Sequence, residues 1–118
     1  MLLTLISTSA MAGQRECDPV MSDQAWTQCA VCHSLKLGDS SQFGPNLHGV
    51  LGRRSGSLPG YVFSPALANS FFVWTASKLD VFLTGPQILV PGSRMPYRGL
   101  ADAQVRDAII CKLANSTN

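Results

Sequence analysis

The chain has 118 residues, which is enough for one domain with one hydrophobic core. Charged residues make up 14% of it and the formal net charge is +2, so no polybasic stretch is available to bind a phosphate backbone, and we expect no nucleic-acid partner. The longest apolar runs fall far short of the roughly 18 to 20 residues that a spanning helix needs, so we expect no transmembrane segment and a soluble monomer.

Residues 1–12 resemble the end of a secretory signal peptide. The mostly apolar residues 2–6 precede Ala10-Met11-Ala12, which has the small-x-small form that signal peptidases cleave after. The segment lacks a basic start and is shorter than usual, and the start of a cytosolic chain is the alternative. We expect a signal peptide at residues 1–12, a single domain at residues 13–118 and a periplasmic protein.

The first predicted helix carries the most specific motif of the sequence. Asp18 followed by Pro19 predicts a helix that begins at Pro19 and runs to about Cys32. Cys29, Cys32 and His33 form the pattern C-x-x-C-H, in which two thiols can add to the vinyl groups of one porphyrin while the imidazole is held beneath the iron. A thioredoxin-like pair would need a βαβ pattern, and a zinc site would need a second Cys/His pair. The motif predicts one covalent haem c, with a chance match as the alternative.

The rest of the chain predicts further helices and no sheet. Residues 34–60 are rich in Gly, Pro and Ser, and so long a loop would count against a compact domain unless a haem supplied the missing core. A short turn of helix is predicted from Ser64-Pro65. A helix is predicted from Ala76 to Thr84, capped by Thr75 and closed by Gly85-Pro86, with one apolar face formed by Leu79, Phe82 and Leu83. A last helix, capped by Asp102, is predicted to run to about Ala114 and to bury Val105, Ile109 and Leu113.

A second iron ligand has three candidates beyond residue 12. Met21 lies on the same predicted helix as His33 and cannot reach the opposite face of a haem. His48 follows His33 by only fifteen residues and tends towards the same side, so it remains a weaker alternative. Met95 lies in a proline-flanked loop that can present its sulfur to iron, although filling a core gap is the commoner role of methionine. We therefore favour Met95.

These residues resemble the small monohaem class I cytochromes c, the family of mitochondrial cytochrome c and its soluble bacterial relatives. The similarity runs from about Pro19 to Leu113 in the family's order and spacing. The resemblance implies an all-α cytochrome c fold, with three to five helices around one haem. The segments that carry it are Cys29-x-x-Cys32-His33, Gly44-Pro45-Asn46-Leu47-His48-Gly49-Val50-Leu51-Gly52-Arg53, Pro59-Gly60-Tyr61, Trp74, Pro91-Gly92-Ser93-Arg94-Met95 and the closing amphipathic helix.

The resemblance also assigns roles to individual residues. It implies that His33 is the proximal ligand, that Met95 is the distal ligand, and that the Pro45 carbonyl accepts a hydrogen bond from the imidazole. Three further residues would lie near a buried haem propionate, of which the tryptophan could instead serve only to pack the core: Arg53, Trp74 and Ser93.

Some positions depart from the family pattern. Phe63 and Phe82 stand where many members have tyrosines. Ala25 and Lys112 stand where two aromatic residues usually join the terminal helices, and the adjacent Trp26 can compensate. We therefore expect a weakened contact between these helices.

Cys17 and Cys111 lie on or beside the same terminal helices. Since an exported protein meets an oxidising environment, we predict that they form a disulfide, with two separate thiols as the alternative.

The resemblance implies a one-electron carrier rather than an enzyme, because iron with both axial positions filled has no open site for substrate. The expected partners are transient: a membrane reductase together with an oxidase or a photosynthetic reaction centre, in a respiratory or photosynthetic chain. A haem sensor or peroxidase-like protein with a labile methionine ligand is the alternative.

The expected docking surface carries little charge. Lysines often surround the haem edge in this family, but here Lys36, Arg94 and Arg98 are the available cations, and Gln28 and Gln87 stand where lysines often do. We expect the rate of docking to depend only weakly on salt.

Overall fold

The computed structural model describes residues 16–40 and 43–116, so the signal peptide expected at residues 1–12 lies outside the described residues. The described residues form no β-strand, and Arg54 pairs with Val73 in an isolated antiparallel bridge. The prediction of an all-α fold with three to five helices is confirmed. The helices are α1 (Pro19–Ala30), α2 (Pro65–Ala68), α3 (Ala76–Thr84), α4 (Pro86–Leu89) and α5 (Ala103–Ala114).

Four helices begin at the caps that the sequence predicts. The Asp18 carboxylate accepts from the backbone N–H groups of the first turn of α1, and Asp102 does the same at α5. Ser64 and Thr75 cap α2 and α3 through their hydroxyl oxygens. Each such bond satisfies a backbone donor that has no partner inside the helix, and is worth about 1 kcal/mol.

One helix boundary differs from its prediction, and one short helix was not predicted. The first helix ends at Ala30 rather than at about Cys32, and the Cys32 carbonyl beyond it accepts from the Gly44 backbone N–H at 2.7 Å. Gly85-Pro86 ends α3 as predicted, but Pro86 is also the first residue of α4. A proline is favoured at that position because the first turn needs no N–H donor from it.

The core lies where α1 and α3 pack against α5. Leu79, Phe82 and Leu83 are buried as predicted, and so are Ile109 and Leu113, whereas Val105 is only half-buried.

Helices α1 and α5 pack against each other without the aromatic pair that the resemblance led us to look for. Ala25 is buried in this contact, and the Lys112 ammonium lies 2.6 Å from a carboxylate oxygen of Asp23 at the exposed rim, where an ion pair contributes little. Trp26 is half-buried against the core. Within the described residues, no helix has both the length and the apolar character needed to cross a bilayer.

Candidate functional site

A single large cavity of about 600 Å³ collects the predicted site residues. Its walls come from the end of α1, the loops on both sides of α2, α3, the loop before α5, and α5 itself. This volume is typical of a pocket for an organic cofactor. The eight predicted cofactor residues all line it: Cys29, Cys32, His33, Pro45, Arg53, Trp74, Ser93 and Met95.

The imidazole of His33 is held in one tautomer. Its Nδ1 lies 2.8 Å from the Pro45 carbonyl oxygen, which can only accept, so Nδ1 carries the proton and donates. Burial lowers the pKa of His33, which outweighs the opposing effect of the bond to Pro45. The ring is therefore neutral at neutral pH, and Nε2 keeps the lone pair that metal ligation requires.

Gly44 is part of this arrangement, a role that no sequence motif predicted. A Cβ at this position would lie 2.5 Å from His33 Cε1, 2.7 Å from Nδ1 and 2.9 Å from the Cys32 carbonyl oxygen. Only a glycine lets the chain pass so close to the imidazole. Its position directly before Pro45 was the sequence signal available for this role.

Cys29 and Cys32 are half-buried and present free thiols at the cavity. Burial and, secondarily, the neighbouring Cys32 raise the pKa of Cys29 to about 11. A thiol with this pKa is protonated at neutral pH. The two sulfur atoms and the imidazole reach one cavity from one turn of chain.

Arg53 and Trp74 lie on another wall of the cavity. Arg53 is half-buried, its Nη2 donates to the Asn46 carbonyl oxygen at 3.0 Å, and burial lowers its pKa. Trp74 is 6% exposed and packs edge-to-face against Phe72 and Phe82, with ring centroids 4.8 and 5.1 Å away. A guanidinium in this mostly apolar wall is a suitable partner for a buried carboxylate.

Met95 faces the same cavity from residues 91–99, which we call the Met95 loop. Met95 is half-buried, and its backbone N–H lies 3.5 Å from the Ser93 hydroxyl oxygen, which makes at most a weak hydrogen bond.

The two other ligand candidates lie elsewhere. Met21 borders a separate cavity of about 150 Å³ beside Cys17 and Cys111. The Nδ1 of His48 donates to the Leu35 carbonyl at 3.0 Å, and the residue does not line the large cavity. Of the three candidates, Met95 is therefore the one that shares a cavity with His33.

Cys17 and Cys111 come together at the ends of α1 and α5. Their Cα atoms are 5.9 Å apart, within the range of disulfides. The predicted pair is thus geometrically compatible with a bond that ties the terminal helices.

The donor set fits a covalently attached iron porphyrin. Two thiols, a neutral imidazole and a thioether surround a mostly apolar space, and the guanidinium of Arg53 can pair with a carboxylate of the ring. Thiols for attachment, axial donors and a cationic partner are what such a cofactor requires.

The comparisons agree with this chemistry. No protein-family model matches the sequence. The chain is 37% identical to a cytochrome c2 of Rhodomicrobium vannielii over 97 residues, which cover 82% of the chain and 78% of that protein. It is 38% identical to a cytochrome c of Sesamum indicum over 91 residues, 77% of the chain and 82% of the relative. The solved structure of cytochrome cH from Methylobacterium extorquens superposes with a TM-score of 0.74 at 34% identity, covering 80% of this chain and 94% of that one.

Proposed function

Because the chain belongs to the class I monohaem cytochromes c, we propose that it accepts one electron from a reduced protein and passes it to an oxidised one. A bound haem supplies the one-electron iron couple. The chain's own residues attach it, complete its coordination and exclude water. The transient partners would be membrane redox complexes of a respiratory or photosynthetic chain, and the carrier would be a monomer.

The proposed axial ligands are His33 Nε2 and the Met95 sulfur. The observation that carries this assignment is the shared cavity, in which His33 is neutral and fixed by Pro45 while Met95 borders the same space. A thioether favours ferrous iron, and burial disfavours the additional charge of ferric iron, so both raise the potential. With both positions filled, no site remains for a substrate.

Attachment is proposed through Cys29 and Cys32, and the polar contacts through Arg53, Trp74 and Ser93. The half-buried guanidinium of Arg53 would pair with a propionate, whose burial without a partner costs several kcal/mol. The indole N–H of Trp74 would donate to the same group; the support for this is that its ring is buried and lines the same cavity.

We further propose that the protein is exported to the periplasm as one domain, residues 13–118. The closeness of Cys17 and Cys111 supports this, because a disulfide persists only in an oxidising compartment.

The test is the spectrum of the full chain, produced together with a haem-attachment system. We expect a red protein whose ferric form shows the weak far-red absorption band of sulfur-ligated haem. Met95→Ala should abolish the band and lower the midpoint potential by at least about 60 mV, a tenfold change in a one-electron equilibrium.

Met21→Ala is the matched control, because Met21 is exposed and borders a different cavity. It should leave band and potential unchanged. A colourless product, or a Met95→Ala protein identical to the wild type, contradicts the proposal. A five-coordinate wild-type protein that reacts rapidly with peroxide would favour the sensor or peroxidase-like class instead.

A further inference from the structure

Both glutamines that stand in place of docking lysines bind the Met95 loop. The Gln87 side chain donates to the Ser93 carbonyl at 2.6 Å and accepts from the Gly92 backbone N–H at 2.9 Å. The Gln28 side chain accepts from the Tyr97 hydroxyl at 3.0 Å. Each glutamine therefore accepts a hydrogen bond from the loop, and an ammonium group, which only donates, could not accept in its place.

The two contacts differ in what they hold. Gln87 fixes the start of the loop to α4, while at its far end the Leu100 backbone N–H donates to the Leu83 carbonyl at 2.8 Å. Tyr97 and Gln28 are 69 positions apart, and they join the middle of the loop, two residues from Met95, to the end of α1.

The geometry of Gln28 is itself fixed. Its Nε2 donates to the Ala25 carbonyl at 3.2 Å, and because a carbonyl can only accept, this bond determines which end of the amide faces Tyr97. The exposed oxygen of the amide is thus aimed at the tyrosine hydroxyl. Tyr97 is half-buried and lines the cavity beside Met95.

We propose that Tyr97 and Gln28 form a latch that holds the Met95 loop closed over the cavity and so keeps the Met95 sulfur on the iron. The latch rests on the proposed function, since it concerns the same ligand. Tyr97 and Gln28 are positioning residues: they act on the iron through the placement of Met95. Breaking the hydrogen bond lets the loop swing away more often, and a competing nitrogen ligand then takes the vacated position.

Imidazole is the probe, titrated into the ferric holoprotein at one neutral pH while the far-red sulfur band is followed. Tyr97→Phe removes the donor and keeps the ring, and Gln28→Leu removes the acceptor. Each should bind imidazole about threefold to tenfold more tightly than the wild type, the value of one hydrogen bond. The double variant should bind no more tightly than the stronger single variant, because both changes break the same bond.

Tyr61→Phe is the matched control. Tyr61 also lines the cavity, but its hydroxyl donates to the Phe43 carbonyl at 3.1 Å and not to the Met95 loop. This variant should keep the wild-type imidazole affinity.

The outcomes separate the two claims. If the wild type shows the sulfur band and the latch variants bind imidazole as it does, the latch is wrong even if their melting temperatures fall. Additive effects in the double variant, or an equal effect of Tyr61→Phe, also overturn it. If the wild type lacks the sulfur band, the proposed function fails and the latch fails with it.

Discussion

The two sides of the cavity are held in different ways. On the side of His33, which we call the proximal wall (residues 29–47), two backbone bonds and one imidazole bond join positions of the same short segment. Gly44 N–H donates to Cys32, Leu47 N–H donates to Ser34, and His33 donates to Pro45, all within 3 Å.

Within the Met95 loop the Tyr97 backbone N–H donates to the Met95 carbonyl at 2.8 Å, and at its start the Ser93 backbone N–H donates to the Val90 carbonyl at 3.0 Å. Side-chain bonds of Gln87 and of Tyr97 join the loop to the rest of the chain, the latter to Gln28, 69 residues away. Those bonds are solvent-exposed, and an exposed bond contributes less than a buried one. The bond that orients His33 is partly buried, whereas the side-chain bonds that hold the Met95 loop are exposed, so the methionine side should open first.

The largest expected effect concerns the disulfide between the two terminal helices, the first of which leads into the proximal wall. Replacing Cys17 by Ala should lower the free energy of unfolding by about 4 kcal/mol, because a disulfide across 94 residues removes much of the entropy of the unfolded chain. The measurement is denaturant unfolding of the holoprotein. The sulfur band of the folded protein should not change, since neither cysteine touches the cavity.

Cys111→Ala and the double variant provide the control. Cys111 is 6% exposed, so its replacement adds a small packing loss, but the double variant should be close to Cys111→Ala. Mass spectrometry without reductant that finds two free thiols in the wild type would contradict the prediction.

Gly99→Ala should produce the next largest effect, at the end of the Met95 loop. Gly99 has a φ of +115°, and an added Cβ would overlap the backbone carbonyl of Thr84. We expect a loss of about 3 kcal/mol from backbone strain and overpacking together. On heating, the sulfur band should disappear well before the helices melt, as circular dichroism would record.

Gly60→Ala separates strain from overlap. Gly60 has a φ of +81° with nothing within 4 Å of an added Cβ, so it should cost only about 1 kcal/mol. Equal losses in both variants would show that the close approach to Thr84 does not matter.

Gly44→Ala should have a smaller effect on stability, and it should perturb the histidine side of the cavity rather than the methionine side. The added methyl must displace the His33 ring, which we expect to cost about 2 kcal/mol. The sulfur band should persist, while the NMR shifts of the haem methyl groups, which report the orientation of the imidazole, should change. Loss of the sulfur band with unchanged methyl shifts would reverse the comparison between the two sides.

The proximal wall was largely predictable from the sequence because its signals are local. A cap at Asp18, the C-x-x-C-H spacing and Gly44-Pro45 lie within 28 residues of each other. The end of α1 at Ala30 was not predicted, and the bond beyond it between Gly44 and the Cys32 carbonyl is a contact of the folded chain.

The Met95 loop was predictable only in part. Its flanking prolines indicated a rigid loop, but nothing in the sequence pairs Gln28 with Tyr97, since their bond depends on how α1 and the loop pack. Nor did periodicity reveal α4, because four residues are too few to show a helical repeat. From the sequence, Gln28 and Gln87 were interpreted as positions that lack a docking charge. In the structure, both side chains form hydrogen bonds with the Met95 loop.

The smallest expected effect follows from those missing charges. Lys36, Arg94 and Arg98 are exposed and can attract an acidic partner, whereas Gln28 and Gln87 contribute no charge. With so few cations, the rate of electron transfer to an acidic redox protein should fall less than about tenfold between low and physiological ionic strength. Stopped-flow kinetics at a series of salt concentrations measure this directly. A steeper fall would mean that the haem edge is more basic than these three residues allow, and that the glutamines do not weaken docking.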